Sequence, residues 1–343
     1  QDRTHFPETT AIFREALARS PDDWMLHDRF AGALLEHGDL AGAAEHWRHA
    51  ARLLPHRGVT HDLLGSVLLE LGQADEAAAS YETLLRIQPA SVEGHIGLGR
   101  ARLAQGRGEE AIGHFQRAMA LEPSAGRSRN HLGLAFLQLG RLAEAEAVFR
   151  EAQAVAPDFM PAQLNLGNTL LSLGRPDDAL AYLRAVVRDH PADADARLAL
   201  GRLLGKRGQW AEAVLEQSEA ARLRPGNFEA RQALANGLIR LNRADEAAEH
   251  LAEALRLRPD SAECRLNYGI ILARRGDTAQ ARTQLQEALR LRPDFAHAHL
   301  NFAITFIEEN RWDEAIVHLR ETLRIEPDNA RARQLLDSAP VPP

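Results

Sequence analysis

The chain has 343 residues, of which 45% are hydrophobic, only 5% aromatic and 26% charged, with a formal net charge of −7. This suits an Ala/Leu-rich helical protein with ample apolar material for a core, and the acidic balance gives no electrostatic case for nucleic acid as a partner. The one cysteine, Cys264, excludes an internal disulfide, and the longest apolar runs, such as residues 268–273, fall far short of the ~20 residues that cross a bilayer. The segment is therefore expected to be soluble, in cytoplasm or periplasm. Lys206 is the only lysine among 41 basic residues, as coding bias in a GC-rich bacterial genome produces.

One period organises the chain. Pro21, Pro55, Pro89, Pro123, Pro157, Pro191, Pro225, Pro259, Pro293 and Pro327 stand 34 residues apart throughout, which accounts for ten of the 16 prolines. Counting each repeat from three residues after a proline, nine repeats fill residues 24–329. Position 8 is Gly65, Gly99, Gly133, Gly167, Gly201 and Gly269, or else Ala31, Ala235 and Ala303; position 20 is alanine in all nine repeats.

In chain order, residues 6–21 read as the second helix of a repeat whose first helix is missing, so residues 1–23 form a half repeat. The chain also opens at Gln1 without methionine. An upstream continuation is expected, with a removed leader as the alternative. Within each full repeat, apolar residues at helical spacing fill positions 1–14 and 18–30, which predicts two helices. Glycine, or Asn242 and Asn310, at position 15 ends the first helix in the left-handed conformation. Acidic residues such as Asp75, Glu76, Glu109 and Glu110 open the second helix at the positive end of its dipole. Arg224, Arg258 and Arg292 near its C-terminus suit the negative end. Small residues at positions 8 and 20 let the paired helices approach. Residues 330–343 read as a short capping helix and a frayed, proline-rich tail.

This pattern resembles the tetratricopeptide repeat (TPR) family. Small residues at position 8, Ala at 20, large residues at 24 (Trp47, Tyr81, Phe115, Phe149), Ala at 27 and Pro at 32 carry the resemblance over residues 24–329. Gln217 at position 24, and Leu84, Val186 and Thr322 at position 27, depart from it locally. The resemblance implies an all-α, right-handed solenoid whose first helices line a concave groove through positions 2, 5, 6, 9, 12 and 13. The junction at residues 8–38 is similar to the first repeat after the membrane domain in bacterial relatives of the transmembrane-and-TPR mannosyltransferases. That likeness implies a soluble, substrate-presenting arm of a membrane glycosyltransferase as an alternative function.

Catalytic and metal motifs are scarce. No Walker loop, dinucleotide fingerprint, HExxH or CxxC occurs, so no enzyme activity and no cofactor are expected. His46 and His49 could share a metal but read as solvent-facing, with no third ligand evident. His297 and His299 point to different sides of a helix, and Cys264 reads as a small packed residue.

The residues that the repeat leaves unexplained are the candidate site. Asn130, Asn165, Asn168, Asn236, Asn267 and Asn301 fall at first-helix positions 5, 6 or 9 and are expected to face the groove. An amide offers donors and an acceptor, so a row of them can hold an extended peptide backbone, a partial likeness to the asparagine ladder of O-GlcNAc transferase. Asn236, Asn267 and Asn301 also fall where chaperone-binding repeats place their carboxylate clamp, but the clamp's basic positions hold Gln232, His297 and Asn301, which disfavours that mode. Lys206, Arg240 and Arg274 at position 13, with Arg202 at position 9, predict a positive stripe that could steer an acidic segment. Leu164, Leu198, Leu266 and Leu300 are candidate apolar anchors. The expected function is a non-catalytic scaffold that clasps an extended protein segment, with self-association through the N-terminal half repeat as a further possibility.

Overall fold

A computed structural model describes residues 6–340; residues 1–5 and 341–343, the outermost parts of the expected half repeat and tail, lie outside the described residues. Twenty α-helices and no strand occur among the described residues. The chain forms two compact blocks, one up to Ala179 and one from Leu180. The border falls inside helix α11 (Pro176–Asp189).

In the N-terminal block, α1 (Phe6–Arg19) precedes four first-and-second helix pairs. These are α2 (Trp24–Glu36) with α3 (Leu40–Leu53), and α4 (Gly58–Glu70) with α5 (Ala74–Ile87). Next come α6 (Val92–Ala104) with α7 (Gly108–Leu121), and α8 (Gly126–Gln138) with α9 (Leu142–Val155), followed by α10 (Met160–Ser172). The C-terminal block holds α12 (Ala194–Lys206) with α13 (Trp210–Leu223), and α14 (Phe228–Arg240) with α15 (Ala244–Leu257). It continues with α16 (Ala262–Arg274) and α17 (Thr278–Leu291), then α18 (Ala296–Ile307) and α19 (Trp312–Ile325), and closes on α20 (Ala330–Asp337). Within each block every helix packs on its sequence neighbours, and several first helices also touch the next first helix, the arrangement of an all-α solenoid.

Local chemistry sets the helix ends. Gly38, Gly72, Gly106, Gly140, Gly174, Gly208 and Gly276 adopt φ of 73–83°, and Asn242 and Asn310 adopt 59° and 60°. The backbone then folds back, as where the Arg107 amide reaches the Arg102 carbonyl at 2.8 Å, satisfying a carbonyl that the helix end leaves open. Asp23, Ser91, Asp193, Asn227, Ser261 and Asn329 cap the next first helix through their side chains.

The core is built where position 24 of the second helix meets position 8 of the first. Trp47, Tyr81, Phe115 and Phe149 are at most 2% exposed. A Cβ added to Gly65, Gly99 or Gly133 would lie 2.7, 2.6 and 2.5 Å from the rings of Tyr81, Phe115 and Phe149. Glycine is thus a steric requirement at these three sites. In the C-terminal block Leu251, Leu285 and Leu319 take the ring's place at 0% exposed. Gln217 is the exception. It is 3% exposed, and its Oε1 has no hydrogen-bond partner among the described residues.

Gly133→Ala is expected to cost about 1–3 kcal/mol by forcing the Phe149 ring aside. Gly113→Ala, on the exposed face of α7 with nothing within 4 Å of the new Cβ, should instead add up to ~1 kcal/mol. Urea denaturation of the two variants beside the parent checks both the signs and the contrast.

Candidate functional site

The first helices carry the candidate residues, and the structure sorts them by what each already touches. Asn130 does not stand open as expected. It is 7% exposed, and its Oδ1 accepts a hydrogen bond of 2.8 Å from Asn165 Nδ2. Leu198 and Leu266, read as groove anchors, are likewise 6% and 7% exposed and belong to the apolar core. The physical reason is shared. All three sit at position 5, which in these repeats turns inward to pack against neighbouring helices. Leu164 and Leu300 at the same position are half-buried.

Asn267 Nδ2 donates to Asn236 Oδ1 at 3.0 Å, a second cross-repeat amide pair like Asn165–Asn130. Each pair leaves the acceptor's own amide N–H group and the donor's oxygen for another partner. Asn301 Nδ2 donates to the His297 carbonyl of its own helix at 2.7 Å. Asn168 is exposed, and no side-chain hydrogen bond holds it among the described residues. Of the clamp positions, Gln232 lies 3.4 Å from Glu263, and His297 lies 3.8 Å from Glu326.

Arg202, Lys206, Arg240 and Arg274 are all exposed and make no ion pair among the described residues. Arg240 rests its guanidinium 5.2 Å from the centre of the Trp210 ring, which restrains it without neutralising it. Neighbouring arginines are spent differently. Arg224, Arg258 and Arg292 lie just past the last turns that were expected to hold them. They reach Asp195, Glu229 and Glu263 at 2.9, 2.8 and 3.3 Å. They therefore tie the end of each second helix to the start of its own first helix, and they consume the position-2 acids. Arg202, Lys206, Arg240 and Arg274 are left without close pairing among the described residues.

Two features escaped sequence reading. The residue at position 4 always donates to the carbonyl of the proline six residues earlier, at the junction with the preceding repeat. His27, His61, His95 and Arg129 do so in the N-terminal block at 2.6–3.2 Å, and Gln163 bonds Pro157 in the same way. Arg197, Arg231, Arg265, His299 and Arg333 do so in the C-terminal block at 2.6–3.0 Å. Three residue types hid the rule, whose common property is a long or ring-borne N–H donor. The second is the environment of the histidines. His46 is half-buried rather than solvent-facing, with its Nδ1 2.9 Å from His27 Nδ1 and its ring against Phe30. His131 stacks on Phe115 and is pushed down to about 4 by burial, with Arg100 and Arg127 adding to it.

Cys264 is fully buried, and burial pushes its thiol up, so it packs as a small apolar group. Among the described residues, no three His, Cys, Asp or Glu side chains stand so as to hold a metal ion. No described helix is long and apolar enough to cross a membrane.

A family model described as tetratricopeptide repeat matches residues 63–125, 98–158, 164–228 and 233–294, and a second of the same description matches residues 272–338. No curated protein matches the chain. Among solved structures, the chain is similar to the APC/C hetero-tetramer Cut9–Hcn1, with a TM-score of 0.55 at 18% identity over 92% of this chain and 63% of that one. It is also similar to a tetratricopeptide repeat protein from Parabacteroides merdae, with a TM-score of 0.53 at 16% identity over 73% and 98%. YrrB, described as a TPR protein with an unusual peptide-binding site, gives 0.50 at 23% identity over 55% and 97%. At these identities the likeness speaks for the fold.

Asn165→Ala should orphan the buried Asn130 oxygen and cost about 1–2 kcal/mol. Asn168→Ala should stay within ~0.5 kcal/mol of the parent. Thermal unfolding of the two single variants would show whether these neighbouring amides serve structure or remain free.

Proposed function

Because the chain belongs to the tetratricopeptide repeat family, we propose that it is a non-catalytic interaction scaffold that holds an extended, acidic protein segment along its first helices. Residues 24–329 act as nine repeats between an N-terminal half repeat and a C-terminal cap. The observation that carries this reading is the stripe of Arg202, Lys206, Arg240 and Arg274, four exposed cations without ion pairs in a chain of net charge −7. Elsewhere along these helices the acids at position 2 are already claimed by arginines of their own repeat. Unpaired cations on one face attract and orient an acidic segment over about a Debye length. Asn236 and Asn267 lie on helices of the same stripe, α14 and α16, and their free amide N–H group and oxygen suit the donor and acceptor of a peptide backbone.

A second reading makes the repeats the substrate-presenting arm of a membrane glycosyltransferase. It rests on the resemblance of residues 8–38, and the coding sequence upstream of Gln1 separates the two: predicted multiple membrane spans there favour the arm, and a nearby start codon rejects it.

A fluorescent Glu-rich peptide should bind the intact chain with an affinity that falls steeply with salt. Changing Arg202, Lys206, Arg240 and Arg274 to Gln together should weaken it by about tenfold or more, and adding Asn236→Ala should weaken it further. Equal affinity for parent and variant, with the helical circular dichroism intact, rejects the stripe as the docking surface.

A further inference from the structure

Three repeats close on a pair of imidazoles. Positions 4 and 23 bring His27 Nδ1 to 2.9 Å from His46 Nδ1, His95 Nδ1 to 3.2 Å from His114 Nδ1, and His299 Nδ1 to 3.0 Å from His318 Nδ1. Each pair joins the first helix of a repeat to its second: α2 to α3, α6 to α7 and α18 to α19. The position-4 ring is committed on its other side. Nε2 of His27, His95 and His299 lies 2.9, 3.2 and 2.9 Å from the carbonyls of Pro21, Pro89 and Pro293.

A carbonyl only accepts, so that Nε2 carries a hydrogen, and the neutral ring offers a bare Nδ1 as acceptor. The second ring must therefore donate from its own Nδ1. One proton lies between the two rings. A pair that gains one proton can still share a bridging hydrogen, but a pair that gains two sets N–H against N–H, with two positive charges about 3 Å apart. One ring must then leave, and for His46 and His318 it would abandon ring contacts with Phe30 and Phe302 at 4.4 and 4.7 Å. In the seventh repeat Arg231 lies 3.4 Å from His250 Nδ1, but in the sixth and eighth the same two positions are joined by groups whose charge does not change near neutrality. Arg197 pairs with Glu216 at 2.7 Å and Arg265 with Gln284 at 2.8 Å.

We propose that the three histidine pairs are acid-released latches, so that mild acidification loosens the first, third and ninth repeats while the arginine-joined sixth and eighth repeats stay closed. The charges around them set the balance. His46 faces His27 of α2 and Arg14 of α1, with Glu45 and His49 on its own helix; His49 also stacks on His27. His114 faces His95 and Arg102 of α6, Glu82 of α5 and Glu110 of its own α7, and His95 faces Arg117. His318 faces His299 of α18 and Glu321 of α19. The glutamates favour protonation, but burial outweighs them and holds His46, His95, His114 and His318 below the ordinary value of 6.5. Between 6.5 and the lower folded values the unfolded chain binds more protons than the folded one, so this stability is complete above 6.5 and is lost as the pH falls.

The test compares the parent with a triple variant, His46→Gln, His114→Gln and His318→Gln, in which each amide can still donate to the position-4 ring but cannot be protonated. The parent Tm should fall between pH 7.5 and pH 5.0, and the variant's fall should be less than half as large. His131, present in both proteins, contributes equally and cancels. Equal falls overturn the proposal. Should the variant not fold, side-chain nitrogen NMR of the parent decides. Protected Nδ1–H signals from His46, His114 and His318 that vanish together below pH 6.5 support the latches. Imidazoles that titrate at their ordinary value with no change in backbone amides overturn them.

Discussion

The structure depends on one contact repeated along the chain: a large side chain at position 24 of each second helix lying on a small residue at position 8 of the first. Where the pair is ring and glycine, the added Cβ would sit 2.5–2.7 Å from ring carbon, well inside van der Waals contact. That closeness sets the distance between paired helices. Everything else takes its place from it, because a first helix fixed in this way presents the same positions in every repeat.

Once paired, the repeats are joined by polar contacts that vary in residue and are constant in role. The donor at position 4 holds the proline carbonyl at the junction with the preceding repeat. The arginines before the proline bind acids at position 2, and most of these pairs are exposed enough to contribute only modestly to stability. Their larger effect is on the surface charge. Asp195, Glu229 and Glu263 are occupied in this way, and Arg202, Lys206, Arg240 and Arg274 are among the exposed cations of the C-terminal block that make no ion pair among the described residues.

Polar groups within the helices divide in the same way. Asn130 and Asn165 use one amide bond on each other, and Asn236 and Asn267 do so again, so an amide at these positions is partly a bond between repeats and partly an available contact. Asn301 turns to a carbonyl of its own helix, and Asn168 makes no side-chain hydrogen bond among the described residues. The histidines at positions 4 and 23 belong to the frame as well, although their chemistry makes that part of the frame sensitive to protons.

The sequence by itself determined the period, the two helices of each repeat, the left-handed caps at Gly38, Asn242 and their equivalents, and the small-on-large core. Each of these follows from local conformational preference or from a size requirement that recurs at fixed spacing. The tertiary structure alone decided that position 5 turns inward, burying Asn130, Leu198 and Leu266, and that Arg224 serves an ion pair with Asp195, 29 residues earlier. It also decided that His27 meets His46 across the repeat. These outcomes depend on which side chain lies opposite after the helices pack, and one-dimensional spacing carries no record of that partner.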